Sequence, residues 1–470
     1  MFSFSHQFLL QINRLILVML LIFILVMSFY EADVLCGSIL SAFFFLMVYC
    51  YCIHINKKHD YALLLLMQLL VFFRVGLAYY DAQISVLPGM DKDPIIFYAE
   101  SLHYLNNGNE FFFMNGSASF RVFLSYVYSV LGENRFSGNI ISVVVSSLAL
   151  MLFYECLCLL QVRYKKTTLF IFAVHASFVL YSVVAMREAY LTMFVLLFVY
   201  LSLLALLSNK KNVVYFFLAL LSLLLWPVFH VKAFYLYGIF AFIVFSVVFV
   251  LLKRVDLKAQ KKQIIITLII MLPLVFLFKG DEFTRIVKGE SPYHASASAS
   301  DGSIMFGLDL YLSRSQTGRG EIRTKFKTVL DTSSLSTLVR TAPISFYYYM
   351  TEPMPWNYRD DLRDLMPMAE SLFRVIALLL IGFYLIRTLF FLIQSKRDKK
   401  LVINNVLLFY LFFLYGAQCV IWSLGTANYG QSFRHHVPSL PLLLICLSVV
   451  VTHFFRRDEH LSLASSEIEN

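Results

Sequence analysis

The sequence predicts an all-α polytopic membrane protein with about twelve transmembrane helices and one large polar loop late in the chain. Three observations predict it. Of the 470 residues, 60% are hydrophobic and only 14% charged, with a mean hydropathy of +0.74. Soluble chains carry roughly 45–50% apolar and about 25% charged residues. Apolar runs close to the length of about 20 residues that a bilayer core demands recur along the whole chain. The third observation is the charge pattern: a net +10 concentrated in short clusters at Lys57–Lys58, Arg163–Lys166, Lys210–Lys211, Lys253–Lys262, Lys396–Lys400 and Arg456–Arg457. Alternate loops of a spanning protein take such charge on the cytoplasmic side, so the basic balance calls for no nucleic-acid partner.

Taken in order, the predicted spans are 15–30, 35–53, 61–80, 137–160, 167–185, 190–208, 213–229, 233–252, 263–278, 369–394, 401–423 and 438–455. No small-residue cleavage site follows the first run, which is therefore read as a retained span rather than a signal peptide. With the N-terminus cytoplasmic, every basic cluster falls inside. This requires Phe120–Leu131, which is short and carries Arg121, to lie along the outer interface instead of crossing. The chain then divides into an N-terminal bundle, 1–278, bearing an outer loop at 81–136; a large outer loop, 279–367; and C-terminal helices with a tail, 368–470. Aromatics, Pro and Trp among the charges of 279–367 argue for order there. Seven cysteines are scattered mainly through apolar runs, with no pair in a zinc or redox setting, and read as small buried residues.

Polar groups at span ends are the candidates for chemistry. Asp91 and Asp93 precede Pro94, and Ile95–Leu105 reads as a helix with Tyr98 and Glu100 in its first turns. Carboxylates there either complement a helix N-terminus or serve as a general base or metal ligand. Arg187 and Glu188 sit between two apolar runs with almost no loop, either as a pair closing a helical hairpin or as groups facing a cavity. Arg74 carries the same choice, with snorkelling as a further bland reading. Trp226, His230 and Lys232 read as interfacial anchors. Arg340 precedes TAPISFYYYMTEPMPW, a run that looks as if it dips back towards the membrane, where a guanidinium suits phosphate. Finally, TANYGQSFRHHV sets Arg434, His435 and His436 outside the last span. Pro438 suits its first helical position, so a helix N-terminus faces the same surface. This set reads either as an anchor or as a diphosphate site. No P-loop, zincin, GxSxG or dinucleotide motif is present.

Four stretches resemble bacterial O-antigen polysaccharide polymerases: PGMDKDPIIFYAESL, MREAYLTMFVLL, YYYMTEPMPWNYRDDL and GTANYGQSFRHHVPSLPLLL. The layout is also similar to the GT-C class of lipid-linked-sugar glycosyltransferases. The resemblance implies a GT-C-like architecture in the bacterial inner membrane with a periplasmic active face. It implies transfer of an oligosaccharide repeat from undecaprenyl pyrophosphate to a second lipid-linked unit, without metal, nucleotide or other cofactor. Membrane lipid and a chain-length regulator would be partners. On this reading Arg187, Arg340 and Arg434 surround the pyrophosphate, helped by His436, Asp93 and Tyr98. His435 or Asp91, with Glu188, supplies acid–base catalysis. A GT-C transferase using a polyprenyl-phosphate sugar would weight Asp91 and Asp93 instead, usually with a metal, but DKD stands where a DD or ExD pair is expected. A transporter or flippase would place charges mid-span and show paired breaks in two related halves. Charges well inside spans are scarce and no internal repeat is found.

Overall fold

Helices begin where a side chain supplies the acceptor that their first amides lack. Asn134, with extended backbone, accepts from Phe136 N at 2.8 Å and opens a helix of 25 residues. Asp60 does the same for the helix that starts at Tyr61, accepting from Leu63 N at 3.1 Å. The computed structural model describes residues 35–55, 60–90, 92–107, 116–208, 212–223, 231–253, 335–357, 364–394, 399–426 and 429–468, with a few positions between 11 and 22. The expected span 263–278, most of 15–30, Asp91, His230 and the loop 279–334 lie outside these residues.

Among the described residues there is no strand. Five helical stretches among the described residues are long and apolar enough to cross a membrane: Tyr61–Ile84, Arg135–Leu159, Arg187–Leu207, Leu365–Leu389 and Asn405–Ser423. The molecule is an all-α membrane protein. Its chain forms two compact units, Met1–Tyr200 with Leu225–Val231, and Leu201–Leu224 with Lys232–Asn470.

Unit 1 is built from α1 (Leu35–Ile55), α2 (Tyr61–Tyr79, continued by a π-turn to Ile84), α3 (Asp93–Asn107), α4 (Gly116–Leu131), α5 (Arg135–Leu159), α6 (Lys165–Val174), α7 (Ala176–Ser182) and the start of α8 (Arg187–Leu207). Gly138, Ser142 and Ser146 recur every fourth residue on α5 and are buried, a spacing that lets helices approach closely in lipid. Gly138 is required outright: a Cβ there would strike the Tyr128 hydroxyl of α4 and lie 3.2 Å from Ala185 Cβ. The helices α3 and α4 pack on each other through Phe97 and Phe120, whose ring centroids are 5.5 Å apart, and through the Glu100–Arg121 ion pair.

The run expected to cross as one helix at 167–185 is broken instead. His175 has ψ 125, which stops α6, and α7 is only seven residues long before Val183–Met186 leave helical geometry. Broken helices survive in a membrane only where side chains satisfy the released backbone groups. Arg74 does so. It donates from Nη2 to Ala173 O at 2.5 Å and from Nε to Ser182 Oγ at 3.2 Å, while Phe178 lies under its guanidinium. Arg74 is fully buried, so the snorkelling reading is overturned.

Unit 2 contains the end of α8, α9 (Asn212–Leu223), α10 (Val231–Lys253), α11 (Leu335–Thr351), α12 (Leu365–Gln394), α13 (Lys399–Gly425), the short α14 (Tyr429–His435) and α15 (Leu440–Ile468). Phe216, Phe245 and Phe249 stack between α9 and α10, and Tyr410 Oη of α13 donates to Ser202 Oγ at 2.9 Å. The helices α12 and α13 both pack on α15. Ser345 Oγ of α11 donates to Ser423 O at 3.1 Å, near the end of α13. From there α11 runs on to Tyr349 and Met350, whose carbonyls accept from Arg374. Arg374 lies between two and three turns into α12. The helix α11 thus enters the bundle rather than lying on it.

Candidate functional site

The end of α11 is a helix C-terminus with unsatisfied carbonyls, set among apolar helices. Three donors from other segments converge on Tyr349 O: Ser432 Oγ at 3.1 Å, His436 Nε2 at 3.0 Å and Arg374 Nη1 at 3.4 Å. Arg374 Nη1 also donates to Met350 O at 3.0 Å. His436 further stacks on the Tyr349 ring with centroids 4.1 Å apart. Since Nε2 of His436 faces a carbonyl, it carries the proton, and the residue positions α11.

His435 is held differently. Its ring lies parallel to the Trp422 indole, centroids 4.1 Å apart and planes 21° apart, and its Nδ1 is 2.8 Å from Thr426 Oγ1. That hydroxyl donates its single proton to Trp422 O at 2.8 Å, so it can only accept from the imidazole. Nδ1 is therefore protonated, and the lone pair of the neutral ring is at Nε2. Arg434, half-buried, precedes it in the last turn of α14. The segment before the last span is helical over Tyr429–His435. The last helix starts at Leu440 rather than Pro438, because Ser432 O and Arg434 O take the amides of His436 and Val437 and carry the turn on.

Unit 1 gathers its polar residues at one end. Asp81, its side chain fully buried, accepts from Arg135 Nη2 at 2.7 Å, Asn139 Nδ2 at 3.1 Å and Leu87 N at 3.0 Å. Asn139 Oδ1 in turn accepts from Ala185 N at 2.9 Å, inside the break before α8. Arg187 and Glu188 form the first turn of α8, Glu188 is buried, and the Arg187 guanidinium lies 5.6 Å from the Phe97 ring centroid. Tyr98 Oη donates to Glu133 O at 2.8 Å. Partial burial, then the Glu133 charge, raises the Tyr98 phenol above its usual pKa, while Arg135 opposes both. The basic residues Lys165 and Lys166 lie at the other end of the unit, where Lys166 Nζ meets Asp60 Oδ1 at 2.6 Å.

Comparison with family models, curated proteins and solved structures gives no match to this chain.

Arg434, His435 and His436 lie in unit 2, with His435 against Trp422 and Thr426 and His436 against Tyr349. Asp93, Tyr98, Arg187 and Glu188 belong to unit 1, and Arg340 is exposed on α11, over two turns before Tyr349. Among the described residues no group of three or more His, Cys, Asp or Glu is placed to hold a metal. Sequence reasoning missed Arg374, Asp81, Asn139 and Thr426. For Arg374 the signal was available: a lone cation inside SLFRVIALLL.

Proposed function

We propose that this protein is a bacterial inner-membrane glycosyltransferase that polymerises undecaprenyl-pyrophosphate-linked oligosaccharide repeats into surface polysaccharide. The observation that carries the reading is His435: an imidazole clamped between Trp422 and Thr426 with its lone pair at Nε2, adjacent to Arg434 and one residue from His436. In the reaction an acceptor hydroxyl attacks the anomeric carbon of the donor repeat, the bond to the diphosphate oxygen breaks, and the base takes the hydroxyl proton. Cations stabilise the departing diphosphate, and Arg434, the neighbour of His435 in the chain, is our candidate for that role. Unit 1 supports an orientation, since its Arg163–Lys166 loop lies opposite Asp81 and Arg187. The positive-inside tendency assigns that loop to the cytoplasm and the polar end to the periplasm.

The test is complementation of a deletion strain, read as surface polysaccharide on a gel. His435→Ala and Arg434→Ala, at wild-type protein levels, should remove the ladder and leave a single-repeat band. A ladder that persists in both variants overturns the site. Loss of the repeat itself on deletion points instead to a transferase that builds it.

A further inference from the structure

Four residues of α13, Tyr415, Gln418, Cys419 and Trp422, occupy one helical face and are all buried. Trp422 meets His435, and Cys419 Sγ lies 3.9 Å from Ser439 Oγ. The Tyr415 hydroxyl faces the Cys419 thiol, and both groups feel the charge of Arg374, as does the Tyr349 hydroxyl. The α13 face, the inner end of α11 and Arg374 are therefore one neighbourhood.

Within it, bonding is incomplete. Among the described residues, both amide atoms of Gln418 and the hydroxyl of Tyr349 are buried without a hydrogen-bond partner. Arg374 is buried and uses Nη1 for two carbonyls, and among the described residues no ion pair joins it to a carboxylate. Glu370, one turn earlier on α12, and Asp364 are the acids nearest to it in sequence. Buried polar groups call for partners, and a buried cation calls for an anion. The groups this region offers are mainly donors: the guanidinium, the Tyr349 hydroxyl and, on the neighbouring α13 face, the Gln418 amide nitrogen. Those are the complement of a phosphate-type oxyanion.

We propose that Arg374, Tyr349 and Gln418 form a binding site for a phosphate-type oxyanion within unit 2. Resting on the polymerase reading, that oxyanion is the diphosphate of the polyprenyl carrier. Arg374 and Gln418 grip it from α12 and α13, close to the Tyr349 carbonyl that Arg374 and His436 share.

The test uses full-length protein in detergent and follows thermal unfolding against polyprenyl diphosphate, inorganic pyrophosphate and unphosphorylated polyprenol. Wild type should be stabilised by polyprenyl diphosphate and not by polyprenol; stabilisation by pyrophosphate as well would assign the site to the phosphate group alone. Gln418→Leu and Tyr349→Phe should melt, without ligand, as wild type does or higher, because each removes an unbonded polar group. Each should also weaken diphosphate binding about tenfold or more. Arg374→Lys, which keeps the charge but loses the fork, should weaken it as well. Wild-type affinity in both Gln418→Leu and Tyr349→Phe overturns the site, as does a wild-type protein that binds neither phosphorylated probe. Should Gln418-dependent binding persist while the strain lacking this protein still makes its full ladder, the polymerase reading falls and the oxyanion site stands.

Discussion

Thr426 Oγ1 stands 2.8 Å from His435 Nδ1 and has already given its proton to the Trp422 carbonyl. One hydroxyl thereby decides which imidazole nitrogen can act as a base. Thr426→Val keeps the side-chain shape and removes the acceptor, leaving the two tautomers to compete. Polymer formation should fall about 10- to 100-fold, less than the roughly 100- to 10,000-fold that a general base supplies and that His435→Ala should cost. Thr426→Ser should restore it. The measurement is ladder formation at matched protein levels, and equal losses in the Val and Ser variants would remove the tautomer argument.

Arg74 is a structural arginine, although a cation in a span invites a ligand-binding role. Its guanidinium replaces the bonds that the break at His175 removes. Arg74→Met should therefore destabilise the purified protein by about 2–4 kcal/mol, since it strands Ala173 O in an apolar bundle, while Ser182 keeps its bond to Val179 O. Arg74→Lys should recover only part of this, because an ammonium cannot span the same acceptors. Affinity for a polyprenyl diphosphate should stay unchanged in whatever fraction remains folded.

The Asp81–Arg135 pair should behave as a buried ion pair does. Asp81→Leu alone should cost about 3–5 kcal/mol, because it leaves Arg135 and the Leu87 amide without their acceptor. Adding Arg135→Met should recover a large part of the loss. A double-variant cycle on unfolding in detergent measures the coupling, and strict additivity would refute it.

Tyr98 gives a pH signature. Its pKa is raised above the ordinary 10.0 by burial first and by Glu133 second. The folded state thus holds this proton more tightly than the unfolded one. Its contribution is complete below the unfolded value and is lost as pH rises through the folded one. The stability difference between wild type and Tyr98→Phe should accordingly be constant up to about pH 9 and decline above pH 10. A difference that grows with alkalinity would contradict the assignment.

Helix type and position were legible because apolar runs of span length leave little choice in lipid, and α5, α8, α12 and α13 lie close to where hydropathy places them. The interruption at Val183–Met186 was hidden for the same reason, since SVVAM is as apolar as any span, and the break at His175 is tolerated by Arg74, a hundred residues earlier. The site divides along similar lines. Arg434, His435 and His436 announce themselves by being polar next to one another. Yet their roles differ according to which atom faces which acceptor, and that depends on Tyr349 and Thr426, residues with no distinguishing pattern of their own.

The divided segment α6–α7 bears on how the protein is made. Its two pieces reach only about 15 Å and about 10 Å along their axes, against a hydrocarbon core of about 30 Å. Neither is a self-sufficient unit for the insertion machinery. Because α2 is synthesised first, its arginine can already be waiting when this stretch leaves the ribosome, so the order of residues along the chain doubles as an order of assembly in the bilayer.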